Sequence, residues 1–328
     1  MAKPKGLFVN IQKAAKKKND FAFMMDEENP YEVKEWIDTG CYALNAILSN
    51  GDILRGLPRG KRIVFSGGEA SAKSILAILM IKAYLNRFPN AKIVFFESEG
   101  SSTVDMAKEA GIPSDSMIII PVTTVEETRT QMVNIVDMIN DDKYGYETKT
   151  NDKGEKKRKK IKGFVPKPEE EQEQYIFVLD SLGMLGTNKE TRDVAAGSDT
   201  KDMTRSQLIK GFARVISLKL SMAQAPFIVV NHTYACLTAG HKIRMADGTT
   251  KNIEDINIDD EIKILNGETA KVKDTCKYEN VEGLVELIDN TGEKITCTPN
   301  HKFLISNEGI LVWKHAIDIN IDDEILSV

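Results

Sequence analysis

Residues 67–74 read GGEASAKS and lie between an apolar run, KRIVFS, and a helical one, SILAILMIKAYLNRF. A glycine-bearing turn from strand to helix aims several backbone N–H groups at one point beside the helix's positive end, and such a cradle attracts phosphate oxygens. Gly67, Gly68, Glu69, Ala70, Ser71 and Ala72 would form the cradle. Lys73 is placed to reach the outer phosphates of a nucleotide, and the Ser74 hydroxyl to bind Mg2+. One position departs from G-x-x-x-x-G-K-[ST]: Ala72 stands for the second glycine, and its Cβ restricts the loop.

Two carboxylates fit the same chemistry. Asp180 ends the apolar run YIFVLD, where it can act on Mg2+ through water, and Glu99 follows KIVFFESE, where it can activate an attacking water. Phosphoryl transfer is mostly positioning and charge stabilisation, so carboxylates and a lysine at strand ends are the parts it needs. Singly, each carboxylate reads equally as a helix cap or a surface charge. At the ends of separate strands beside a phosphate loop they lead to one expectation, ATP binding with Mg2+ held through Ser74 and Asp180.

The elements that must position these groups alternate. After a short basic helix over 5–20 and a polar connector over 21–35, apolar strands alternate with amphipathic helices from Trp36 onward. The strands are KRIVFS, AKIVFFESE, SMIIIPV, YIFVLDSLG and APFIVVNHT. That alternation predicts βαβ units around a parallel sheet covered on both faces. Between 141 and 173 the pattern fails, and KKRKKIK followed by EEEQE predicts a solvated, partly disordered charged insertion. The alternative is a basic finger touching DNA, which the acidic run would partly neutralise.

Beyond His232 the texture changes to short strand-like runs (HKIRM, EIKIL, LVELI, EKITCT, HKFLIS, ILVW) separated by Gly, Asn and Asp, an all-β pattern. The octapeptide DINIDDEI occurs at 255–262 and again at 318–325, which predicts two similar halves about a pseudo-twofold axis. Charge divides with texture. Residues 236–328 hold 10 Lys+Arg against 18 Asp+Glu, a net of −8, while the preceding residues hold 34 against 31. At 328 residues the chain is long enough for about two domains of the usual ~150. No run approaches the ~20 apolar residues of a membrane span, and the lysine-containing N-terminus has no apolar signal core, so a cytoplasmic protein without membrane partners is expected. Cys41, Cys236, Cys276 and Cys297 form no C-x-x-C pair, which argues against zinc and a disulfide scaffold.

The segments IDTGCYALNAIL, FESE, VLDSLG, DMTRSQ and VVNHT, with the phosphate loop, resemble the RecA superfamily, and within it the phage UvsX-type recombinases, over about 36–235. The resemblance implies that Lys73 and Ser74 are Walker A, Asp180 Walker B and Glu99 the catalytic glutamate. It makes His232 a γ-phosphate sensor that couples ATP to DNA, residues 186–202 the first DNA-binding loop, and residues 1–35 an arm that contacts a neighbouring protomer. Met106 stands near the place where RecA has an aromatic over adenine, which leaves the adenine contact unassigned.

CLTAGHKIRMADGTTKNIEDI, which follows NHTYA, and ITCTPNHKFLI at 295–305 resemble the opening blocks of an intein, a Hint-fold protein-splicing element, over 236–328. The resemblance implies that the scissile junction is Ala235–Cys236 and Cys236 the nucleophile of an N–S acyl shift. Thr298 would polarise the scissile peptide, and His301 would donate a proton to the leaving nitrogen. Cys276, Cys297 and His315 read as structural and His241 as a surface residue. No terminal His-Asn is present, so a split intein is expected, with a second polypeptide supplying its C-terminal half; the acidic half would attract a basic one. A fragment of a contiguous intein-bearing gene, or an ATPase with a self-cleaving Hint tail, are the alternatives. The whole reads as an incomplete α/β P-loop core of RecA type followed by a small all-β Hint half. Spliced, residues 1–235 would begin a filament-forming ATP-dependent strand-exchange protein acting on single-stranded DNA.

Overall fold

A computed structural model describes residues 6–19, 21–27, 29–68, 71–100, 103–150, 156–195, 204–233, 236–264, 267–273, 275, 283–290, 292, 294–307 and 310–326. The chain forms two compact units, Met1–His232 and Thr233–Val328.

The first unit opens with helix α1 (Leu7–Lys18), followed by β1 (Trp36–Ile37), α2 (Tyr42–Ser49) and β2 (Leu57–Pro58). Its centre is built from β3 (Arg62–Gly67), α3 (Lys73–Arg87), β4 (Lys92–Glu97), α4 (Thr103–Glu109), β5 (Met117–Pro121) and α5 (Val125–Tyr144). Then come a hairpin of β6 (Tyr146–Thr150) and β7 (Lys156–Lys160), followed by β8 (Tyr175–Asp180), α6 (Asn188–Ala195), α7 (Arg205–Ala223) and β9 (Phe227–His232). Five strands form one sheet in the order β3-β9-β8-β4-β5, and every pairing in it is parallel.

Strand periodicity divides the apolar runs between the two faces. Ile93, Phe95, Ile176, Val178, Ile228 and Val230 pack on one face with Ala77, Met80, Ile81 and Tyr84 of α3. Val94, Phe96, Phe177, Leu179, Phe227 and Val229 face the other way, against Met132 and Val136 of α5 and Phe212, Ile216 and Leu220 of α7. Continuous apolar strands are therefore what a sheet covered on both sides requires. Each of these side chains is closely packed, and truncating one such as Ile81 or Phe95 to Ala would cost about 2–5 kcal/mol.

Residues 141–173 differ from the solvated, partly disordered insertion that the charge pattern suggests. The first four complete α5, which is N-capped by Thr124 accepting from Glu127 N at 3.2 Å. Gly145 ends the helix at φ +69°, and Phe164 packs so closely over it that an added Cβ would lie 2.0 Å from the ring. The chain then turns into the antiparallel β6–β7 ladder, from Tyr146↔Lys160 to Thr150↔Lys156. Backbone pairing needs no apolar pattern, which is why KKRKK can be a strand.

The second unit contains β10 (Lys242–Arg244), β11 (Thr250–Asn252), β12 (Glu261–Lys263), β13 (Thr269–Lys271), β14 (Val285–Ile288), β15 (Lys294–Cys297), β16 (Lys302–Asn307), β17 (Ile310–His315) and β18 (Glu324–Ile325). It is duplicated internally. Leu237 and Cys297 face each other in an antiparallel bridge, and around them Thr238 N donates to Thr296 O while Thr298 N donates to Cys236 O, both at 3.0 Å. Met245↔Ile262 in the first half answers Ile305↔Ile325 in the second. Within the repeated octapeptide, Asn257 N donates to Asp260 Oδ2 and Asn320 N to Asp323 Oδ2, each at 2.8 Å. Lys251 and Lys314 pair with the same two aspartates.

Among the described residues, no helix is long and apolar enough to cross a membrane, and no group of three or more His, Cys, Asp or Glu side chains is arranged to hold a metal ion by itself.

Candidate functional site

Parallel strands deliver their carboxyl ends to one edge, and that edge is where open α/β sheets bind ligands. Here Gly67 lies opposite His232 on the paired strands β3 and β9, and Glu97 lies opposite Asp180 on β4 and β8. The phosphate-loop residues, Asp180, Glu99 and His232 therefore meet at one edge because the apolar strands behind them are in register.

In the loop, Ser71 Oγ donates to Gly68 O at 2.8 Å, and the buried Lys73 ammonium donates to Gly68 O at 2.6 Å. A Cβ on Gly67 would come within 2.6 Å of Ser71 Oγ, so the loop closes tightly only with glycine there. Ala72 sits at φ +61°, in the left-handed region, immediately before α3. This is the conformation for which glycine is the ordinary choice. Glu69 and Ala70 lie outside the described residues.

Asp180 is buried to 2% exposure, and its Oδ1 has no hydrogen-bond partner within the protein. Burial raises its pKa above the usual carboxylate range; the Ser74 hydroxyl offsets part of that, while the charges of Glu99 and Glu97 add to it. A buried acceptor next to a hydroxyl fits a hydrated divalent cation bound with nucleotide phosphates.

Glu99 behaves differently. Burial would raise it, but the Ser181 hydroxyl and His232 outweigh burial and hold it below the ordinary carboxylate value. His232 Nε2 lies 2.8 Å from Glu99 Oε1. The carboxylate and the imidazole thus span β8, whose Asp180 lies between their strands in the sheet order.

Three contributors escaped the sequence reading. Glu97 accepts from Glu99 N at 2.8 Å and fixes the turn that presents Glu99. Ser98 Oγ donates to Ser181 O and accepts from Ser181 N, both at 2.8 Å, tying the Glu99 segment to the one following Asp180. Arg205 on α7 donates to Leu182 O, Gly183 O and Leu185 O at 2.8–3.0 Å, holding that segment in place. Glu97 and Ser98 were visible in FESE, but nothing in a linear sequence says which carbonyls a distant arginine will find.

The segment resembling a DNA loop begins with a reciprocal cap, Thr187 N to Glu190 Oε2 at 2.7 Å and Glu190 N to Thr187 Oγ1 at 3.0 Å, and continues into α6. Residues 196–202 lie outside the described residues.

In the second unit, Cys236 N donates to Thr298 Oγ1 at 3.0 Å. His301 closes the turn by donating its N–H to Thr298 O at 3.0 Å. The His301 ring stands 5.0 Å from that of Phe303, and its Nδ1 is buried without a hydrogen-bond partner in the protein. Burial, and then the nearby charge of His241, push His301 below the ordinary imidazole value. Cys236, Thr298 and His301 are thus held by one turn and one bridge. Ala235, the acyl side of the expected junction, and Cys276 lie outside the described residues. Cys297 is fully buried, and His315 Nδ1 is engaged with Asn300 O at 3.0 Å. His241, expected on the surface, is half-buried: its turn, T-A-G-H at 238–241, repeats T-P-N-H at 298–301, and its O accepts from Ile253 N at 2.8 Å as His301 O accepts from Ala316 N at 2.7 Å.

No protein-family model matches the chain. Over 219 residues, 67% of the chain, it is 28% identical to the recombination and repair protein of Enterobacteria phage T4, covering 48% of that relative. Over 106 residues, 32% of the chain, it is 31% identical to Protein RecA of Wolbachia sp. subsp. Drosophila simulans (strain wRi), covering 28% of it. The RecA of Wolbachia pipientis subsp. Culex pipiens (strain wPip) matches to the same extent. The chain spans about half the length, or less, of these relatives. A five-stranded parallel sheet within a mixed α/β unit is compatible with a RecA-like core.

Proposed function

We propose that residues 36–235 are the front part of an ATP-dependent DNA recombinase of RecA/UvsX type, and that residues 236–328 are half of a split intein that joins this part to the remainder by trans-splicing. In that reading a complementary polypeptide supplies the rest of both. The spliced product would form filaments on single-stranded DNA.

The observation that carries the splicing reading is the hydrogen bond from Cys236 N to Thr298 Oγ1. In an N–S acyl shift the Cys236 thiol attacks the Ala235 carbonyl carbon. A C–S bond forms, the Ala235–Cys236 C–N bond breaks, the thiol gives up its proton, and the departing nitrogen takes one up to become an amine. The nitrogen that must leave is the atom Thr298 holds, and His301 sits in the same turn as the proton donor. Apolar side chains left exposed on β17 and just beyond it, Leu311, Trp313 and Ile317, support a unit that is completed by another polypeptide.

For the first unit, Mg2+-ATP would supply the transferable phosphoryl group. Lys73 would bind its outer phosphates, Ser74 and Asp180 would hold the ion, Glu99 would orient the attacking water, and His232 would sense the terminal phosphate through Glu99. The similarity to the phage T4 recombination and repair protein and to RecA supports this chemistry over other uses of a phosphate loop.

Mixing the chain with a candidate C-terminal half and weighing the products tests the proposal. Ligated recombinase and two freed intein pieces are expected, and Cys236→Ala should abolish them. Thiol-dependent release of residues 1–235 without a partner would favour a self-cleaving tail instead. Absence of any hydroxylamine-sensitive linkage at the junction would overturn both.

A further inference from the structure

The second unit is duplicated, and its halves differ behind the turn that carries Thr298 and His301. At an offset of 63 the short 3-10 turns Ile253–Asp255 and Ala316–Asp318 correspond, so Asn252 answers His315. The backbone is alike at these two positions, with φ −67° and ψ 147° at Asn252 and φ −73° and ψ 149° at His315. The residue after each sends its amide to the nearby histidine carbonyl, Ile253 N to His241 O at 2.8 Å and Ala316 N to His301 O at 2.7 Å.

The side chains then part company. His315 Nδ1 lies 3.0 Å from Asn300 O. A carbonyl oxygen can only accept, so the proton sits on Nδ1 and the ring donates. Ile317 N adds a bond to Pro299 O at 3.2 Å. Residues 315, 316 and 317 therefore hold the carbonyls of Asn300, His301 and Pro299, while Thr298 O closes the turn by accepting from His301 N at 3.0 Å. Among the described residues, Asn252 makes no bond to Gly240 O, the carbonyl that answers Asn300 O. Gly240 N is held instead by Glu254 Oε2 at 2.7 Å.

The turn that gains the imidazole is the one that touches the expected junction. Thr298 N donates to Cys236 O and Thr298 Oγ1 accepts from Cys236 N, both at 3.0 Å. In the other half Thr238 N and Thr238 Oγ1 both donate to Thr296 O, a carbonyl within β15. Folding is served by the amide bond that both halves share. The extra donor occurs where chemistry is proposed, and a group misplaced there by about 1 Å can cost ~10²-fold in rate.

We propose that His315 is a positioning residue for acyl transfer at Cys236: by donating to Asn300 O it fixes the turn from which Thr298 and His301 address the scissile peptide. It acts through that turn, and its Nδ1–H stays on the Asn300 carbonyl throughout. The proposal rests on the splicing reading of this unit.

Cleavage of the full chain at Ala235–Cys236 by hydroxylamine, followed by mass, tests it. His315→Phe keeps a ring of similar bulk without the donor. Its rate constant at saturating hydroxylamine should fall about tenfold or more, while the fraction finally cleaved stays at the parent's. His315→Asn puts an amide N–H where Nδ1 stands and should return the rate constant close to the parent's. Should His315→Phe fail to fold, His315→Gln gives the same comparison, because its amide lies one carbon farther out and should leave cleavage slow. Every variant should share the parent's pH midpoint for the rate, since His315 carries no proton in the step. An unchanged rate constant in His315→Phe, with or without a smaller cleaved fraction, would overturn the proposal. So would a rate constant in His315→Asn as low as in His315→Phe, or a shifted pH midpoint in His315→Asn. A parent chain that hydroxylamine does not cleave removes the splicing reading and this proposal with it; a parent that cleaves beside an unaffected His315→Phe removes His315 alone.

Discussion

His232 Nε2 and Glu99 Oε1 stand 2.8 Å apart, although their strands, β9 and β4, are not neighbours in the sheet. The strand between them, β8, carries Asp180. A change at the end of β9 therefore has a direct hydrogen-bond route to the carboxylate proposed to orient water, across the carboxylate proposed to act on the metal ion.

Because Glu99 is held below the ordinary carboxylate value, the fold favours its ionised form. The stability gained this way is present above the unfolded value and is lost as pH falls through the lower, folded one. Melting temperature followed through the acid range should show a falling limb that Glu99→Gln reduces. In the spliced protein the same substitution should lower ATP turnover by about 10²–10⁴-fold while leaving ATP affinity within a few-fold, the pattern of a group that acts on water rather than on nucleotide. Equal loss of affinity and turnover would remove Glu99 from that role.

Asp180 has the opposite sign. Its raised pKa means that the folded state prefers the protonated acid, so the buried carboxylate destabilises the protein as pH rises past the unfolded value. Asp180→Asn should therefore raise the melting temperature of the nucleotide-free chain at neutral pH. It should also abolish the further rise that Mg2+-ATP gives the parent. A variant that melts lower than the parent and still responds to Mg2+-ATP would show that Asp180 does not act on the ion.

The parts of this molecule that rest on local chemistry were legible in its sequence. Apolar runs such as KIVFFE and YIFVLD could only be strands buried on both faces, and their ends carried the acids. The hairpin over 146–160 was not legible, because KKRKK has neither alternation nor apolar content and owes its strand to backbone pairing with Tyr146–Thr150. Arg205 was in view within DMTRSQ, but its three carbonyl partners lie about twenty residues upstream. The second T-x-x-H turn, at 238–241, escaped notice for a different reason: the turns recur at an offset of 60 and the octapeptides at 63, so no single alignment of the halves includes both.

Ala72 offers a stability test of the phosphate loop. An alanine at φ +61° costs roughly 1–2 kcal/mol relative to its preferred conformation, and a glycine there avoids most of that strain while giving back some entropy. Ala72→Gly should stabilise the first unit by about 0.5–1 kcal/mol in urea unfolding, with no loss of ATP affinity. Destabilisation would mean that this loop conformation is not the one the chain holds in solution.

The turn that carries Thr298 and His301 makes the most direct prediction about the second unit. Thr298→Val keeps the shape of the side chain but removes the oxygen that accepts from Cys236 N. Thiol-induced cleavage at the junction should slow by about 10–100-fold, since one positioned hydrogen bond to the reacting peptide is lost. His301 adds a pH signature. Burial and the His241 charge lower its pKa, so the folded unit favours neutral imidazole; stability is full above the ordinary value of 6.5 and falls as pH drops through the lower, folded one. In His301→Gln that limb should flatten, and junction cleavage should slow with it, because the neutral imidazole is proposed to take up the thiol's proton and pass it to the departing nitrogen. Cleavage that proceeds at the parent rate in both variants would mean that this turn holds Cys236 for reasons unrelated to acyl transfer.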